Sequence, residues 1–304
     1  MGGSRVWRCA ATALATGALL GALFLQGPPP DPSRPGVSPP AVAAGGTAFA
    51  GAAGMAGAGS APVAGGEHGG WDDSGSTGTV RNPATGRDEL VYPAPDELAV
   101  IIGDSQSDGA AGVPGAATWP RLAAEALGYR PVFRGRGGTG FTTSRGGHLN
   151  YVDALRAQQW LLPRGPVGLV VVQGGGNDAR SGAGDAAIRG GALALISELR
   201  AGYPGSPIVL VGTLARSADD GGGRRHAVDG VLRAAAGEAG IPFVSAGDWL
   251  TTRGLAASLA DEVHLDAEGH RRASGVLLEG LRDLGLQRRD TVLAGAATEG
   301  PAAG

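Results

Sequence analysis

The chain contains no lysine, a single cysteine (Cys9) and few aromatic residues, which make up 5% of its 304 residues. One cysteine excludes an intrachain disulfide, an iron–sulfur cluster and a cysteine-rich zinc site. Charged residues account for only 17% of the chain, and the formal net charge is −3. Because a nucleic-acid-binding protein normally concentrates basic residues on one surface, this balance argues against a nucleic-acid partner.

Glycine and proline are abundant instead, with 57 and 20 residues. Together they reach a level that is typical of chains with low-complexity segments. Residues 27–95 are rich in proline, alanine and glycine and have too few large apolar side chains to offset the entropy lost on ordering. We therefore predict a disordered linker over residues 27–95 and a disordered tail over residues 287–304.

Residues 1–26 have the pattern of an export segment. Arg5 and Arg8 precede an uncharged, apolar run over residues 9–25. A basic start followed by such a run is typical of a signal peptide, and the run is near the shortest length that spans a bilayer. We expect an exported protein that is extracellular or at the cell surface. If the segment is not cleaved, it would anchor the protein in the membrane.

Residues 96–286 show a different pattern, in which short aliphatic runs alternate with helix-like segments. The runs are residues 98–102, 131–133, 167–172, 207–211 and 241–244, and the helical segments are residues 118–127, 150–161, 185–201, 225–239 and 267–286. Continuous apolar runs favour parallel strands that are buried on both faces. We predict one α/β domain, a three-layer α/β/α sandwich with a flavodoxin-like parallel sheet of about five strands.

Polar residues follow the predicted strands at the points where the strands end. Ser105 follows the first strand, a glycine-rich segment (residues 135–140) follows the second, and Asn177 follows the third. Asp261 and His264 lie in the loop before the last helix. Because parallel strands end at the same edge of a sheet, we expect these residues to meet in one cleft.

These residue types supply the parts of a serine hydrolase. A serine hydroxyl needs a neighbouring base, so Ser105 is the candidate nucleophile and His264 the candidate base. Asp261, three residues earlier, would orient the imidazole and support its charged form. Candidate donors to the oxyanion are the Ser105 amide, the Gly138 amide and the Asn177 side chain. Asp178 is expected to shape the loop.

The ordered blocks resemble those of the SGNH hydrolase superfamily, the GDSL-type esterases and lipases. Residues 103–107 (GDSQS) match the block GDSxS, residues 175–178 (GGND) match GxND, and residues 261–264 (DEVH) match DxxH. The resemblance covers about residues 97–286. It implies that Ser105, Gly138, Asn177 and His264 are the four signature residues and that Asp261 completes the triad.

One block departs from the family pattern. An asparagine often precedes the glycine of the second block, and Phe133 and Arg134 occupy that neighbourhood here. Gly137 therefore competes with Gly138 as the oxyanion donor. Residues 135–140 also spell G-x-G-x-x-G, but a dinucleotide fingerprint follows the first strand and opens a helix, which this segment does not. We expect no cofactor and no metal.

The function that we expect is an exported serine ester hydrolase of the carboxylesterase or acetylesterase type, acting through a covalent acyl-serine intermediate. The alternatives are an acyltransferase that uses the same intermediate and a non-catalytic cell-surface binding module. The substrate would be a small-molecule, carbohydrate or lipid ester. The lack of a long apolar surface segment or lid-like insertion favours short acyl groups.

Overall fold

The structure is a computed structural model, and it describes residues 73–288. The predicted export segment, the predicted linker up to residue 72 and the predicted tail from residue 289 lie outside the described residues. Within residues 73–288, no helix has both the length and the apolar character that crossing a membrane requires.

A five-stranded parallel sheet forms the centre of the fold. The strands of the described region are β1 (Gly78–Asn82), β2 (Arg87–Val91), β3 (Leu98–Gly103), β4 (Arg130–Gly135), β5 (Leu169–Gln173), β6 (Ile208–Val211) and β7 (Phe243–Val244). The order in the sheet is β4-β3-β5-β6-β7, and Ile101 lies between Phe133 of β4 and Val171 of β5. This is the flavodoxin-like order, so the predicted fold class is confirmed.

Helices cover both faces of the sheet. They are α1 (Ser105–Asp108), α2 (Trp119–Ala126), α3 (Tyr151–Arg156), α4 (Gly176–Ser181), α5 (Asp185–Gly202), α6 (Gly223–Ala239), α7 (Trp249–Thr252) and α8 (Ala267–Asp283). Successive strand residues point to opposite faces: Val100 packs in a core with α3, α5 and α6, and Ile101 packs in a core with α2 and α8. The three layers are thus the predicted ones.

One predicted helix is shorter in the structure. The segment predicted over residues 150–161 is helical only as α3, which ends at Arg156. Gln158 has a φ of 53°, a left-handed conformation that cannot continue a right-handed helix.

The prediction of a disordered linker is wrong for residues 78–91. β1 and β2 form an antiparallel hairpin, and Leu90 of β2 exchanges backbone hydrogen bonds with Leu162 (2.9 Å) and Arg164 (2.7 Å) of the domain. Just before the hairpin, Asp73 pairs with the buried Arg134 of β4 at 2.6 Å. An isolated two-stranded hairpin is marginal in water, so docking on the domain stabilises these strands. The folded region therefore begins before residue 96.

Candidate active site

The turn between β3 and α1 presents Ser105 at the carboxyl edge of the sheet. Asp104 ends the extended segment and caps α1, because its side chain accepts a hydrogen bond from the amide of Gln106 (3.0 Å). Ser105 is the first residue of the helix. Its backbone amide belongs to the first turn, where N–H groups have no partner within the helix. The hydroxyl and the amide of one residue therefore both lie at the edge where ligands bind.

The loop before α8 carries His264 to the serine. The Nε2 atom of His264 lies 2.9 Å from the Oγ atom of Ser105, although the residues are 159 positions apart. On the other side of the ring, Nδ1 lies 2.7 Å from the Oδ2 atom of Asp261. When Nδ1 carries the proton toward this carboxylate, Nε2 offers a lone pair to the serine hydroxyl. The structure thus brings the three residues that the sequence indicated into one hydrogen-bonded chain.

Asp261 is held in place by its own loop. Its Oδ1 atom accepts hydrogen bonds from the amides of Val263 (2.8 Å) and His264 (2.7 Å). The hydrogen bond with the His264 side chain has the largest effect on the pKa of Asp261, and the two backbone bonds add to it. Together they lower this pKa to about 2. The carboxylate is therefore ionised at neutral pH and can stabilise an imidazolium.

In the glycine-rich segment after β4, the amides of Gly137 and Gly138 differ in their partners. The amide of Gly137 donates to the Oδ2 atom of Asp108 (3.0 Å), whereas the amide of Gly138 has no acceptor among residues 73–288. Gly138 has a φ of 88°, a conformation that glycine adopts without strain. Of the two glycines that the sequence left open, the geometry favours Gly138 as the oxyanion donor.

Asn177 lies beside these groups, at the start of α4. Its Nδ2 atom donates to the carbonyl oxygen of Thr139 (2.9 Å), and a longer contact of 3.4 Å leads to Asp104. Asn177, Gly138 and Ser105 line the same cleft. An uncharged N–H donor at this position is suited to a developing oxyanion, which a carboxylate would repel.

Asp178 connects the same helix to the glycine-rich segment. Its fully buried carboxylate accepts hydrogen bonds from the amides of Phe141 (3.0 Å), Thr142 (2.8 Å) and Thr143 (3.1 Å). The expectation that Asp178 shapes the loop is confirmed by these contacts. Because Asn177 and Asp178 are adjacent, one turn of backbone places the Asn177 side chain in the cleft and fixes the loop that follows Gly138.

Two further titratable groups lie behind the cleft. Asp104 is 2% exposed, and its burial raises its pKa to about 6, although the Gln106 amide and the charge of Arg225 act in the opposite direction. His270 is 1% exposed and accepts a hydrogen bond from the amide of Trp119 at Nδ1 (3.1 Å). Burial lowers the pKa of His270 to about 4, so its ring is neutral and serves the packing of α8 on α2.

The cleft has a volume of about 890 Å³ and opens over the ends of β3 and β5. Two groups that line the cleft are not predicted from the sequence: Gln106, which follows Ser105, and a set of arginines from separate segments. Neither has a motif of its own. A smaller hollow of about 450 Å³ at the amino ends of β6 and β7 is lined by no histidine or carboxylate. No group of His, Cys, Asp and Glu in the described part of the chain is arranged to hold a metal ion.

Comparison with known proteins adds a family and a set of structures. The model of the GDSL-like Lipase/Acylhydrolase family matches residues 101–272. Among solved structures, the chain is similar to a family two carbohydrate esterase from Clostridium thermocellum in complex with cellohexaose. The identity is 17% and the TM-score 0.50, over 66% of this chain and 68% of that one.

Two smaller solved proteins are similar over almost their whole length. Est24, a carbohydrate acetylesterase from Sinorhizobium meliloti, has 23% identity and a TM-score of 0.48, over 62% of this chain and 99% of that one. The native aryl esterase of M. smegmatis has 20% identity and a TM-score of 0.46, over 62% and 99%. No curated protein sequence matches the chain.

Proposed function

Because the chain belongs to the GDSL-like lipase/acylhydrolase family and is an ester-bond hydrolase, we propose that it acts through a covalent acyl-Ser105 intermediate. The observation that carries this proposal is the unbroken series of contacts from Asp261 through His264 to Ser105, at 2.7 and 2.9 Å. The series ends at the wall of the 890 Å³ cleft, where a substrate can reach the serine hydroxyl.

In the first half of the reaction, Nε2 of His264 accepts the proton of Ser105 as Oγ bonds to the ester carbonyl carbon. The carbonyl oxygen becomes an oxyanion facing the amides of Ser105 and Gly138 and the Nδ2 atom of Asn177. Removing one such donor typically lowers the rate by about 10²–10³. The intermediate collapses when the bond to the alcohol oxygen breaks and His264 returns its proton to that oxygen.

In the second half, water replaces the alcohol. His264 accepts a proton from the water as its oxygen bonds to the acyl carbon, and then returns the proton to Oγ of Ser105 as the acid leaves. Asp261 stays ionised throughout and stabilises the imidazolium in both halves. The pKa of about 2 of its carboxyl group is consistent with this constant charge.

The cleft suits short acyl groups. The aliphatic side chains that line it are Ala110, Ala179 and Val263, and the other lining residues are glycine or polar. Each buried methylene of an acyl chain contributes about 0.8 kcal/mol only where it finds an apolar surface. We therefore propose an acetyl or similarly short ester of a small alcohol or a carbohydrate.

The direct test measures hydrolysis of 4-nitrophenyl acetate by the wild type and by Ser105→Ala. We expect Ser105→Ala to lose roughly 10³-fold or more of the rate while its circular dichroism and melting temperature are kept. Ser274→Ala is the matched control, because this α8 hydroxyl only donates to the carbonyl oxygen of Arg271 (2.7 Å). Turnover that persists in Ser105→Ala would refute the mechanism.

A second measurement separates the alternatives. A fluorophosphonate should attach to Ser105 of the wild type, which mass spectrometry of the peptides would locate. A folded protein that stays unlabelled would be a binding module. If added sugar acceptors are acylated faster than water is, the enzyme is an acyltransferase, because the acyl-serine intermediate serves both reactions.

We also propose that the protein is exported. The proposal is supported by the basic start and apolar run of residues 1–26. The mass of the mature amino terminus after expression in a secreting host would test both export and cleavage. A full-length protein in the cytoplasmic fraction would contradict it.

A further inference from the structure

The charges that line the cleft are unevenly distributed. The chain as a whole is acidic, with a net charge of −3, but four arginines line the cleft. They are Arg145, Arg180, Arg224 and Arg225. Arg145 follows the glycine-rich segment, Arg180 is on α4, and the other two begin α6. These segments surround the oxyanion side of the cleft.

Arg225 is held beside the site residues by one hydrogen bond and a close contact with α4. Its Nε atom donates to the carbonyl oxygen of Leu214 (3.1 Å), whereas neither Nη atom has a partner within residues 73–288. The guanidinium group lies against Gly176, where a Cβ atom would come within 2.7 Å of Nη2. It is close enough to Asp104 to lower the pKa of that carboxyl group. Glycine at position 176 therefore leaves room for a partly buried cation beside Asn177.

Two other arginines add charge at the rim. The Arg145 side chain packs over Gly138, and Arg180 lies one turn of α4 after Asn177. Neither side chain has an ion pair or a hydrogen bond in the part of the chain that the structure describes. Arg224 differs, because it pairs with Asp185 outside the cleft. The uncapped start of α6 lies on the same side and contributes the partial positive charge of a helix amino terminus.

No carboxylate that lines the cleft forms a direct ion pair with Arg145, Arg180 or Arg225 among residues 73–288, although Asp104 lies close enough to act on the charge of Arg225. Asp104 is buried under the nucleophile turn and Asp261 is bonded to His264. Glu262 lies next to Asp261 on the opposite, histidine side. The guanidinium groups of Arg145, Arg180 and Arg225 thus line the cleft without a direct ion pair to a carboxylate of residues 73–288.

We propose that the ester substrate carries an anionic group, a carboxylate or a phosphate, which Arg225 binds together with Arg180 or Arg145. This inference rests on the proposed function, because it names the substrate class of the same site. Guanidinium groups match both anions with paired N–H donors, and such charge-assisted hydrogen bonds are about twice as strong as neutral ones. A neutral ester would form no ion pair with these arginines.

The test compares pairs of esters in which one member carries an anionic group and the other is neutral. One pair is 4-acetoxybenzoate and the neutral 4-acetoxybenzamide, and the other is 1-acetylglycerol 3-phosphate and 1-acetylglycerol. We expect kcat/KM of the anionic member to exceed that of the neutral member by about tenfold in at least one pair. The pair with the larger ratio identifies the anion as a carboxylate or a phosphate.

The arginine variants are judged by this ratio, which cancels changes in folding and in active enzyme. Arg225→Gln and Arg180→Gln should each lower the ratio at least threefold, and Arg225→Lys should restore part of it. Arg282→Gln removes the same charge from the exposed last turn of α8, outside the cleft, and should leave the ratio unchanged. A wild-type ratio near one, or a ratio that the cleft variants do not alter, would overturn the inference.

A binding measurement distinguishes failure of the inference from failure of the proposed function. Calorimetry on Ser105→Ala would compare the binding of 4-acetamidobenzoate and 4-acetamidobenzamide. Both ligands are amides in place of esters, so neither is turned over. About tenfold tighter binding of the carboxylate, weakening as salt is added, supports the anion site even if no ester is hydrolysed. Equal affinities refute the anion site even if 4-nitrophenyl acetate is hydrolysed.

Discussion

The side-chain amide of Gln106 donates a hydrogen bond to the carbonyl oxygen of Val263 across 2.8 Å. This bond joins the turn that carries Ser105 to the loop that carries His264. Gln106 is only 3% exposed, so water does not compete with the bond. The two loops come from distant parts of the chain, and we therefore expect Gln106 to position the proposed nucleophile, Ser105, against the proposed base, His264.

Replacing Gln106 with methionine tests this role. The thioether has nearly the same length but cannot donate to Val263, so we expect kcat for 4-nitrophenyl acetate to fall roughly tenfold with little change in KM. The rate of fluorophosphonate labelling should fall in parallel. Gln159→Met is the matched control, since Gln159 donates to the carbonyl oxygen of Gly147 (3.0 Å) away from Ser105. A loss of stability without a change in kcat would contradict the role.

Gly138→Ala tests the proposed oxyanion donor. The substitution strains a residue at φ 88° and places a methyl group against the Arg145 side chain. Alanine keeps the backbone N–H, so the substitution acts by displacing this amide from the cleft, and we expect kcat/KM to fall by up to about 10². Gly147 has a similar φ of 83°, but a methyl group added there would contact no other residue. Gly147→Ala should therefore lose about 1 kcal/mol of stability and keep its activity. Equal activities in the two variants would argue against a precisely placed Gly138 amide in the oxyanion site.

Asp178→Asn tests the loop anchor. The amide group cannot accept hydrogen bonds at both of its side-chain atoms, so at least one buried amide of residues 141–143 loses its partner. We expect urea unfolding to show a loss of about 2 kcal/mol. Asp88→Asn removes an exposed pair with Arg81 (3.3 Å) and should change stability by less than about 1 kcal/mol. Similar losses in both variants would argue against the anchor.

His270 predicts a pH dependence of stability. Its pKa is about 4 in the folded protein and 6.5 in the ordinary reference state, so below pH 6.5 the unfolded chain binds more protons. The stability of the wild type therefore falls as pH decreases from about 6.5 to about 4. His270→Asn keeps an acceptor for the Trp119 amide but does not titrate. The free energy of unfolding of the variant should gain about 2–3 kcal/mol relative to the wild type between pH 7 and 4.5.

Two comparisons make the pH measurement decisive. Asp104, with a pKa of about 6, titrates in the same range with the opposite sign, but both proteins contain it and the difference between them cancels its effect. Between pH 7 and 8 the difference should stay constant. A difference that is also constant between pH 7 and 4.5 would show that His270 is not the group responsible.

The elements that the sequence predicted best are those whose signal is local. The five aliphatic runs became the five strands of the parallel sheet, because strands buried on both faces need continuous apolar residues. The hairpin over residues 78–91 was missed because its strands mix charged and apolar residues beside a linker-like stretch. A short turn ending in Gly86 between Asn82 and Arg87 was the available signal.

The sequence by itself determined the α/β class and the chemical groups of the site, since Ser105, Asn177, Asp261 and His264 occur in recognisable blocks after strand-like runs. Only the tertiary structure decided that the amide of Gly138, unlike that of Gly137, has no acceptor among residues 73–288, that Gln106 joins two loops, and that arginines from three segments line the cleft that contains Ser105. These properties depend on distances between residues far apart in the chain. Local patterns of residues do not encode such distances, which arise only when the sheet and its helices pack.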